Sequence, residues 1–365
     1  LDNTFGIFYT RSEYGETIHH IGGGSLVKRI TIKDVAREAG VSVTTTSYVL
    51  NNNPKARISD ETAERVRKAA KRMHYVPRSS ARTMINRESK LIGVIIPQTG
   101  SRNTLMFANP FYGEFLSAVE HAIREQGYHV LLSGTGPNQD YSQVAQMREL
   151  DGIIILGTYP CDFLDEIKET GIPAVLVDAY VDDYYFHTVG NNDRYGGYIA
   201  TKYLIDKGHQ KIAFISEQLR EKGVHEQRFQ GYCDALKEAG LPLKEDYLYT
   251  CDVSYDSCYK LASEFVQRKN GETAAFVTAD IMAMGLINGL TALGWSIPDD
   301  LSVIGFDDVP LATMCLPNIT TVRQDITAKG TTAAEVVIEA VKGIPKQDTI
   351  LPLHVVERDS VKPIT

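Results

Sequence analysis

A chain of 365 residues with 43% apolar side chains is long enough for two or three domains with sizeable cores. It contains no run of about 18 apolar residues, which excludes a membrane-spanning helix. The net charge of −8 is unevenly spread: residues 28–90 carry fifteen Lys or Arg against six Asp or Glu, a balance of +9, while residues 1–27 carry −2 and residues 91–365 carry −15. An acidic body behind a small basic head suits a protein that meets a polyanion with one end only. Cys161, Cys233, Cys251, Cys258 and Cys315 are odd in number and form no C-x-x-C. They read as buried thiols of a reducing compartment, with neither a disulfide framework nor a zinc site.

Residues 1–27 have no charged start followed by an apolar core, so they do not read as a signal peptide. They end in Gly22-Gly23-Gly24-Ser25-Leu26-Val27. Gly-Gly is what a purine-rich ribosome-binding sequence encodes, and Leu26 or Val27 fits an alternative start codon. Two readings stay open, an untranslated extension and a disordered tail. Thr31 then caps a helix whose Ile32, Val35, Ala36 and Ala39 share one apolar face, and Gly40 ends it. Val41 packs inward, and Ser42 caps a second helix from about Val43 to Leu50. That helix has a polar strip, Thr44, Thr45 and Ser47, beside an apolar one, Val43, Val49 and Leu50. The pair matches a helix-turn-helix, with a plain helical hairpin as the alternative. Ser59 caps a third helix with Asp60 and Glu61 in its positive first turn and Arg65, Arg67, Lys68, Lys71 and Arg72 further along.

The run IKDVAREAGVS, a helix ending VLN, and ISDETAERVRKAAKRMHYVP together resemble the DNA-binding headpiece of the LacI/GalR (lactose-repressor) family of bacterial transcription regulators. The resemblance covers residues 29–86 and extends over the rest of the chain to about residue 360. It implies an all-α headpiece over 28–76 and a hinge helix and linker over 77–90. It also implies DNA contacts from Thr31, Ser42, Val43, Thr44, Thr45, Ser47, Tyr48, Asn51 and Tyr75, with Ala81 and Met84 in the hinge. Met84 stands where the family has a leucine that wedges into the minor groove, and a thioether can act as such a wedge. Tyr48 stands where the family most often has arginine. Tyrosine cannot make the forked contact to guanine, so the operator is expected to depart from the family's usual one there.

From Leu91 the pattern alternates between strand and helix. Short apolar runs at 91–97, 129–134, 152–157 and 173–179, with helices near 111–126 and 162–170, predict one lobe of buried parallel strands. Runs at 211–216, 248–253, 274–279 and 301–306 predict a second, with helices near 194–207, 226–239, 256–268 and 281–293. The expected body, 91–365, is thus an α/β effector domain of two doubly wound lobes resembling periplasmic binding proteins. Lobe one is expected at about 91–188 and 320–347, lobe two at about 189–319 and 348–365. The helix between Gly134 and Asp151 has room for only about ten residues, shorter than the family's usual one.

Ligands of such folds sit in a cleft at the strands' carboxyl ends. The resemblance places effector contacts on Phe111 and Tyr112 in the Asn109-Pro110-Phe111-Tyr112 loop, on Arg228, on Asp280 and on Asp307 in the run GFDD. Two departures stand out. Ala279 replaces the family's usual Asn or Ser, and Val253 replaces an aromatic ring, with Tyr255 two residues on as its substitute. The expected partners are palindromic operator DNA, a second copy of the chain (a tetramer staying open) and a small-molecule effector. A sugar is favoured over a purine by the family's habits alone, no cofactor is expected, and the place of action is the bacterial cytoplasm and its nucleoid. An enzyme is disfavoured because the chain lacks G-x-G-x-x-G after a strand, G-x-x-x-x-G-K-[ST], G-x-S-x-G and H-E-x-x-H. The basic head disfavours a periplasmic-type sugar-binding protein. Repression is the expected outcome of DNA binding.

Overall fold

The computed structural model describes residues 30–50, 56–73, 75, 89–97, 105–135, 149–268, 270–345 and 347–364. The chain divides into two compact units, one up to Arg87 and one from Glu88 onward. In the first, α1 (Ile32–Ala39), α2 (Val43–Leu50) and α3 (Asp60–Arg72) surround Val35, Ala39, Val49, Val66, Ala69 and Ala70. Thr31 donates both its backbone N–H and its hydroxyl to Asp34, at 2.9 and 2.6 Å. Gly40, at φ 67°, ends α1 in the left-handed conformation that turns the chain towards α2. Ser42 caps α2 by accepting from the Thr45 N–H at 3.0 Å, and Ser59 caps α3 by accepting from the Thr62 N–H at 3.4 Å. Val43, read as part of the apolar strip and as a DNA contact, faces solvent at 40% exposed, and the inward place on that helix goes to Thr46, which is fully buried. The Thr46 hydroxyl spends itself on the Ser42 carbonyl at 3.0 Å, so a polar side chain fits the interior at no loss of hydrogen bonding.

The second unit holds two six-stranded sheets. The first runs β11 (Asp348–Leu351), β5 (His187–Asn191), β4 (Ala174–Val177), β3 (Gly152–Leu156), β1 (Leu91–Pro97) and β2 (His129–Thr135), with parallel pairing throughout. The second runs β12 (Leu353–Val356), β10 (Thr320–Gln324), β9 (Ser302–Asp307), β8 (Ala274–Val277), β6 (Ile212–Ser216) and β7 (Leu248–Thr250). Within it β12 alone is antiparallel to its neighbour. Helices α4 (Pro110–Glu125), α5 (Asp162–Thr170) and α10 (Ile326–Val341) cover the first sheet. The second is covered by α6 (Asp193–Asp206), α7 (Val224–Glu238), α8 (Tyr255–Arg268) and α9 (Asp280–Ala292). The central strands are apolar on both faces, as parallel strands under helices must be.

The chain crosses between lobes after β5, after β10 and between β11 and β12. These crossings correct the expected lobe boundaries. Strand 320–324 belongs to lobe two and strand 348–351 to lobe one, the reverse of the expectation, and lobe one keeps the chain through Asn191. The cause is visible in composition. Thr320 and Thr321 are fully buried, and their polar groups bond to Ser360 and Asp280 at 2.8 and 2.7 Å, so β10 does not look like a core strand. Strand β11 lies at the sheet edge with Ile350 74% exposed. Most of the expected Gly134–Asp151 helix, and the residues of the hinge and of 1–27, lie outside the described residues. Among the cysteines, Cys258 and Cys315 are buried while Cys161 is exposed and Cys233 and Cys251 are half-buried, so the reading of five buried thiols holds for two.

Candidate functional site

The headpiece presents an exposed strip on α2. Val43, Thr44 and Tyr48 stand out, with Thr45 and Ser47 half-buried beside them. Their inner neighbours Thr46 and Val49 anchor the helix to the core, so the outer face is free to meet another surface. Lys33, Arg37, Arg65, Arg67, Lys68, Lys71 and Arg72 are all exposed. Arg72 pairs with Glu38, which ties α3 to α1. Tyr75, expected to touch DNA, packs half-buried against the headpiece core, and its N–H donates to Ala70 at 2.9 Å. Asn51, Ala81 and Met84 lie outside the described residues.

The second unit holds a cavity of about 170 Å³ where the carboxyl ends of the two sheets face each other. Its lobe-one wall begins at the start of α4. Asn109 caps that helix through the Phe111 N–H at 3.0 Å, and Pro110 takes the first helical position, where no N–H is needed. This fixes Phe111 against Phe115 and edge-on to Tyr112, with ring centroids 6.4 and 5.6 Å apart. Burial, and then the nearby Glu217 and Asp307, push the Tyr112 phenol up to about 12, so it stays a neutral donor.

Arg228 comes from α7. Helices α6 and α7 cross so closely that a Cβ on Gly197 would lie 2.0 Å from the Arg228 carbonyl, and one on Gly231 1.9 Å from that of Arg194. Only glycine permits this approach, and the approach sets Arg228 beside Asp193 at the start of α6. Its Nε and Nη2 lie 2.8 Å from Asp193 Oδ1, its Nη1 donates to the Thr278 carbonyl at 2.7 Å, and its guanidinium lies 3.6 Å from the Phe306 ring centroid. Asp307 ends β9 in a left-handed conformation, φ 120°, which turns its carboxylate into the cavity. Desolvation raises it to about 6, against the opposing pull of Arg228.

A chain of hydrogen bonds links the lobes beneath this cavity. Asp307 Oδ1 accepts from Gln324 Nε2 at 2.6 Å, Lys329 Nζ donates to Gln324 Oε1, and the same ammonium reaches both oxygens of Asp178 at 2.6 and 2.7 Å. Lys329 is completely buried. Across the rim, Tyr159 of lobe one donates to Glu217 of lobe two at 3.4 Å, and Arg220 lies 5.4 Å from the Tyr159 ring centroid. The same ring rests on Gly223, where a Cβ would come within 2.6 Å of it. His225 bonds Thr278 at 3.0 Å, and burial, helped by Arg228 and Arg220, holds its imidazole down to about 3 and hence neutral.

Of the expected effector residues, Phe111, Tyr112, Arg228 and Asp307 line the cavity together. Tyr255 and Asp280 do not. Asp280 lies fully buried beneath it, accepting from Thr321 Oγ1 at 2.7 Å and the Val309 N–H at 3.1 Å. These bonds hold the β9 turn, so Asp280 supports the wall that Asp307 stands on. Tyr255 accepts from Asn288 Nδ2 at 3.1 Å and stacks on Tyr259, facing the lobe-two core. Tyr159, Asp178, Glu217, His225, Asp252 and Gln324 line the cavity and were not among the expected residues. Each ends or follows a strand, or opens a helix, at the cleft end, a position that suits a ligand contact but that no motif in the sequence singles out.

A helix-turn-helix headpiece and a two-lobed body closing on a polar cavity define the class of DNA-binding regulators controlled by a small molecule. The model of the bacterial regulatory proteins of the lacI family matches residues 31–78, and that of the periplasmic binding protein-like domain matches residues 201–361. The HTH-type transcriptional repressor PurR of Vibrio vulnificus is 35% identical over 343 residues, which span 92% of this chain and 99% of that protein. PurR of Photobacterium profundum is 33% identical over 341 residues. Among solved structures, a complex of the transcriptional regulator CelR with cellobiose is 28% identical, with a TM-score of 0.69, covering 91% of this chain and 100% of that one. A lac repressor dimer bound to operator shares the fold at a TM-score of 0.77 and 24% identity, covering 91% of this chain and 99% of that one. The chain belongs to the LacI family. It is a DNA-binding transcriptional repressor under small-molecule control. Among the described residues no helix is long and apolar enough to cross a membrane.

Proposed function

We propose that the interlobe cavity binds a hydroxyl-rich small molecule, a sugar or sugar derivative, and that this binding sets the affinity of a homodimer for a palindromic operator in the bacterial cytoplasm. The observation that carries this reading is the convergence of Arg228 and Asp307 from different elements on one cavity beside the Phe111 ring. Gln324 uses only Oδ1 of Asp307, so Oδ2 remains to accept from a hydroxyl. Arg228 retains N–H groups beyond those given to Asp193 and Thr278. An acceptor, a donor pair and a flat apolar ring are the groups that hold a sugar. The relative bound to cellobiose supports the same class. Lobe closure over the ligand changes the geometry that two headpieces present to two half-sites. In the headpiece, Val43, Thr44, Thr45, Ser47 and Tyr48 read base edges, while Lys and Arg side chains neutralise phosphates.

A purine is the second reading, favoured by the similarity to PurR repressors and by the Phe111–Tyr112 pair as a stacking wall. Calorimetric titration of the full chain with pentoses, hexoses, disaccharides, nucleobases and nucleosides separates the two. The proposal expects a sugar to bind and Arg228→Ala to weaken it by at least ~30-fold, the cost of stranding a buried charge. Binding by nucleobases alone refutes the sugar assignment.

A further inference from the structure

The cavity wall is short of positive charge. Asp178, Glu217, Asp252 and Asp307 line it, and Arg228 is the one lining Lys or Arg among the described residues. Among the described residues, the cations nearest the wall are already engaged. Arg228 faces Asp193 at 2.8 Å, Lys329 grips Asp178 from behind at 2.6 Å, and Arg220 lies over the outer Tyr159 ring. His225 is neutral and donates no charge. Besides the spare N–H groups of Arg228, the lining features that welcome an anion are helix starts: α7 and α9 open without a side-chain cap at Gly223 and Ala279, and α4 opens at Asn109. Each helix end supplies at most roughly half a charge, against the four lining carboxylates.

We infer that the cavity takes its effector in an unphosphorylated form, and that Glu217, Asp252 and Asp307 act as a charge filter against phosphate esters of the same molecule. The inference rests on the effector occupying this cavity. A phosphate group would bring up to two negative charges into a low-dielectric space and exchange its hydration for carboxylate neighbours. A free hydroxyl at the same point donates to those carboxylates instead. The repressor therefore responds to a reaction that releases the free molecule, such as hydrolysis of a glycoside or ester, or uptake without phosphoryl transfer. A kinase acting on that molecule ends the signal.

The test is calorimetric titration of the full chain with matched pairs: free hexoses, pentoses and nucleosides, each against its own monophosphate. The expected result is a free ligand that binds and an ester at least ~100-fold weaker, the scale of several unfavourable like-charge contacts. In Asp252→Asn, at the exposed rim, and in Glu217→Gln the ratio of free to esterified affinity narrows by about 10-fold per removed charge. A merely structural role would weaken both members of a pair alike and leave that ratio unmoved, which overturns the filter. An ester that binds as well as its free parent also overturns it while leaving the cavity reading intact. Absence of binding by every pair sinks both.

Discussion

Tyr48 stands 41% exposed on the outer face of α2, next to the capped and buried turn that fixes the helix. Its ring offers an apolar face and one hydroxyl, where an arginine would offer a fork matched to guanine. Tyr48→Arg should therefore move the selected operator towards guanine at the facing base pair, with a gain of about 1–3 kcal/mol for that base. Selection from a randomised operator library reads this directly, and an unchanged motif refutes the contact. Asp307 governs a second residue-scale outcome. Burial raises it to about 6, so below that pH its carboxyl is protonated and loses charge as an acceptor. Effector affinity should rise from about pH 5 to 7 and level off above, because the deprotonated form is the one that accepts. Glu217, raised by burial, contributes with the same sign, and His225 stays neutral across the window. Titrations at several pH values check this, and Asp307→Asn should flatten most of the slope. Arg228 and Asp307, which line the cavity, were legible through the resemblance of HEQRFQGYCDAL and GFDD to the family's motifs. Tyr159, Glu217 and Asp252 were not, since a single polar residue after a strand carries no spacing to mark it.

At the scale of elements, the crossing between β10 and α10 carries the Asp307–Gln324–Lys329–Asp178 chain from one lobe to the other. Lys329→Met leaves Asp178 buried without its cation, which costs about 3–5 kcal/mol when one partner of a buried pair is removed. Protonation of Asp178 relieves that cost. Asp178 is already raised by burial, and without Lys329 it rises further, so the stability deficit should be small near pH 5 and larger near pH 8. Urea unfolding at both pH values measures it, and a deficit independent of pH counts against the pairing. The strands β1, β3, β6, β8 and β9 were legible because both faces are apolar. Strands β5, β10, β11 and β12 were not, because each mixes polar residues with edge or crossover positions. Thr321 illustrates the reason: its burial depends on Asp280, 41 residues away in sequence, which no local pattern reveals.

At the scale of the whole molecule, the +9 of residues 28–90 and the −15 of residues 91–365 divide the labour between a head that attracts DNA and a body that repels it. Operator affinity should fall by about 1,000-fold or more between roughly 50 and 200 mM salt, as phosphate contacts release counterions. Filter binding across that range tests it, and a shallow slope would show that the exposed Lys and Arg do not meet phosphates. This division was legible from charge alone, whereas the exchange of β10 and β11 between lobes was not. The closeness of Tyr159 to Gly223 has a consequence for time rather than for affinity. The two lobes meet there with a tyrosine ring against bare backbone, its Cε1 2.6 Å from where a methyl would stand. Gly223→Ala should prop that seam open, so that a bound effector leaves at least ~10-fold faster while its rate of entry changes little. Stopped-flow displacement measures both rates, and an unchanged exit rate would show that the seam does not close over the ligand. How long the repressor remembers a pulse of effector is then set by the absence of one carbon atom.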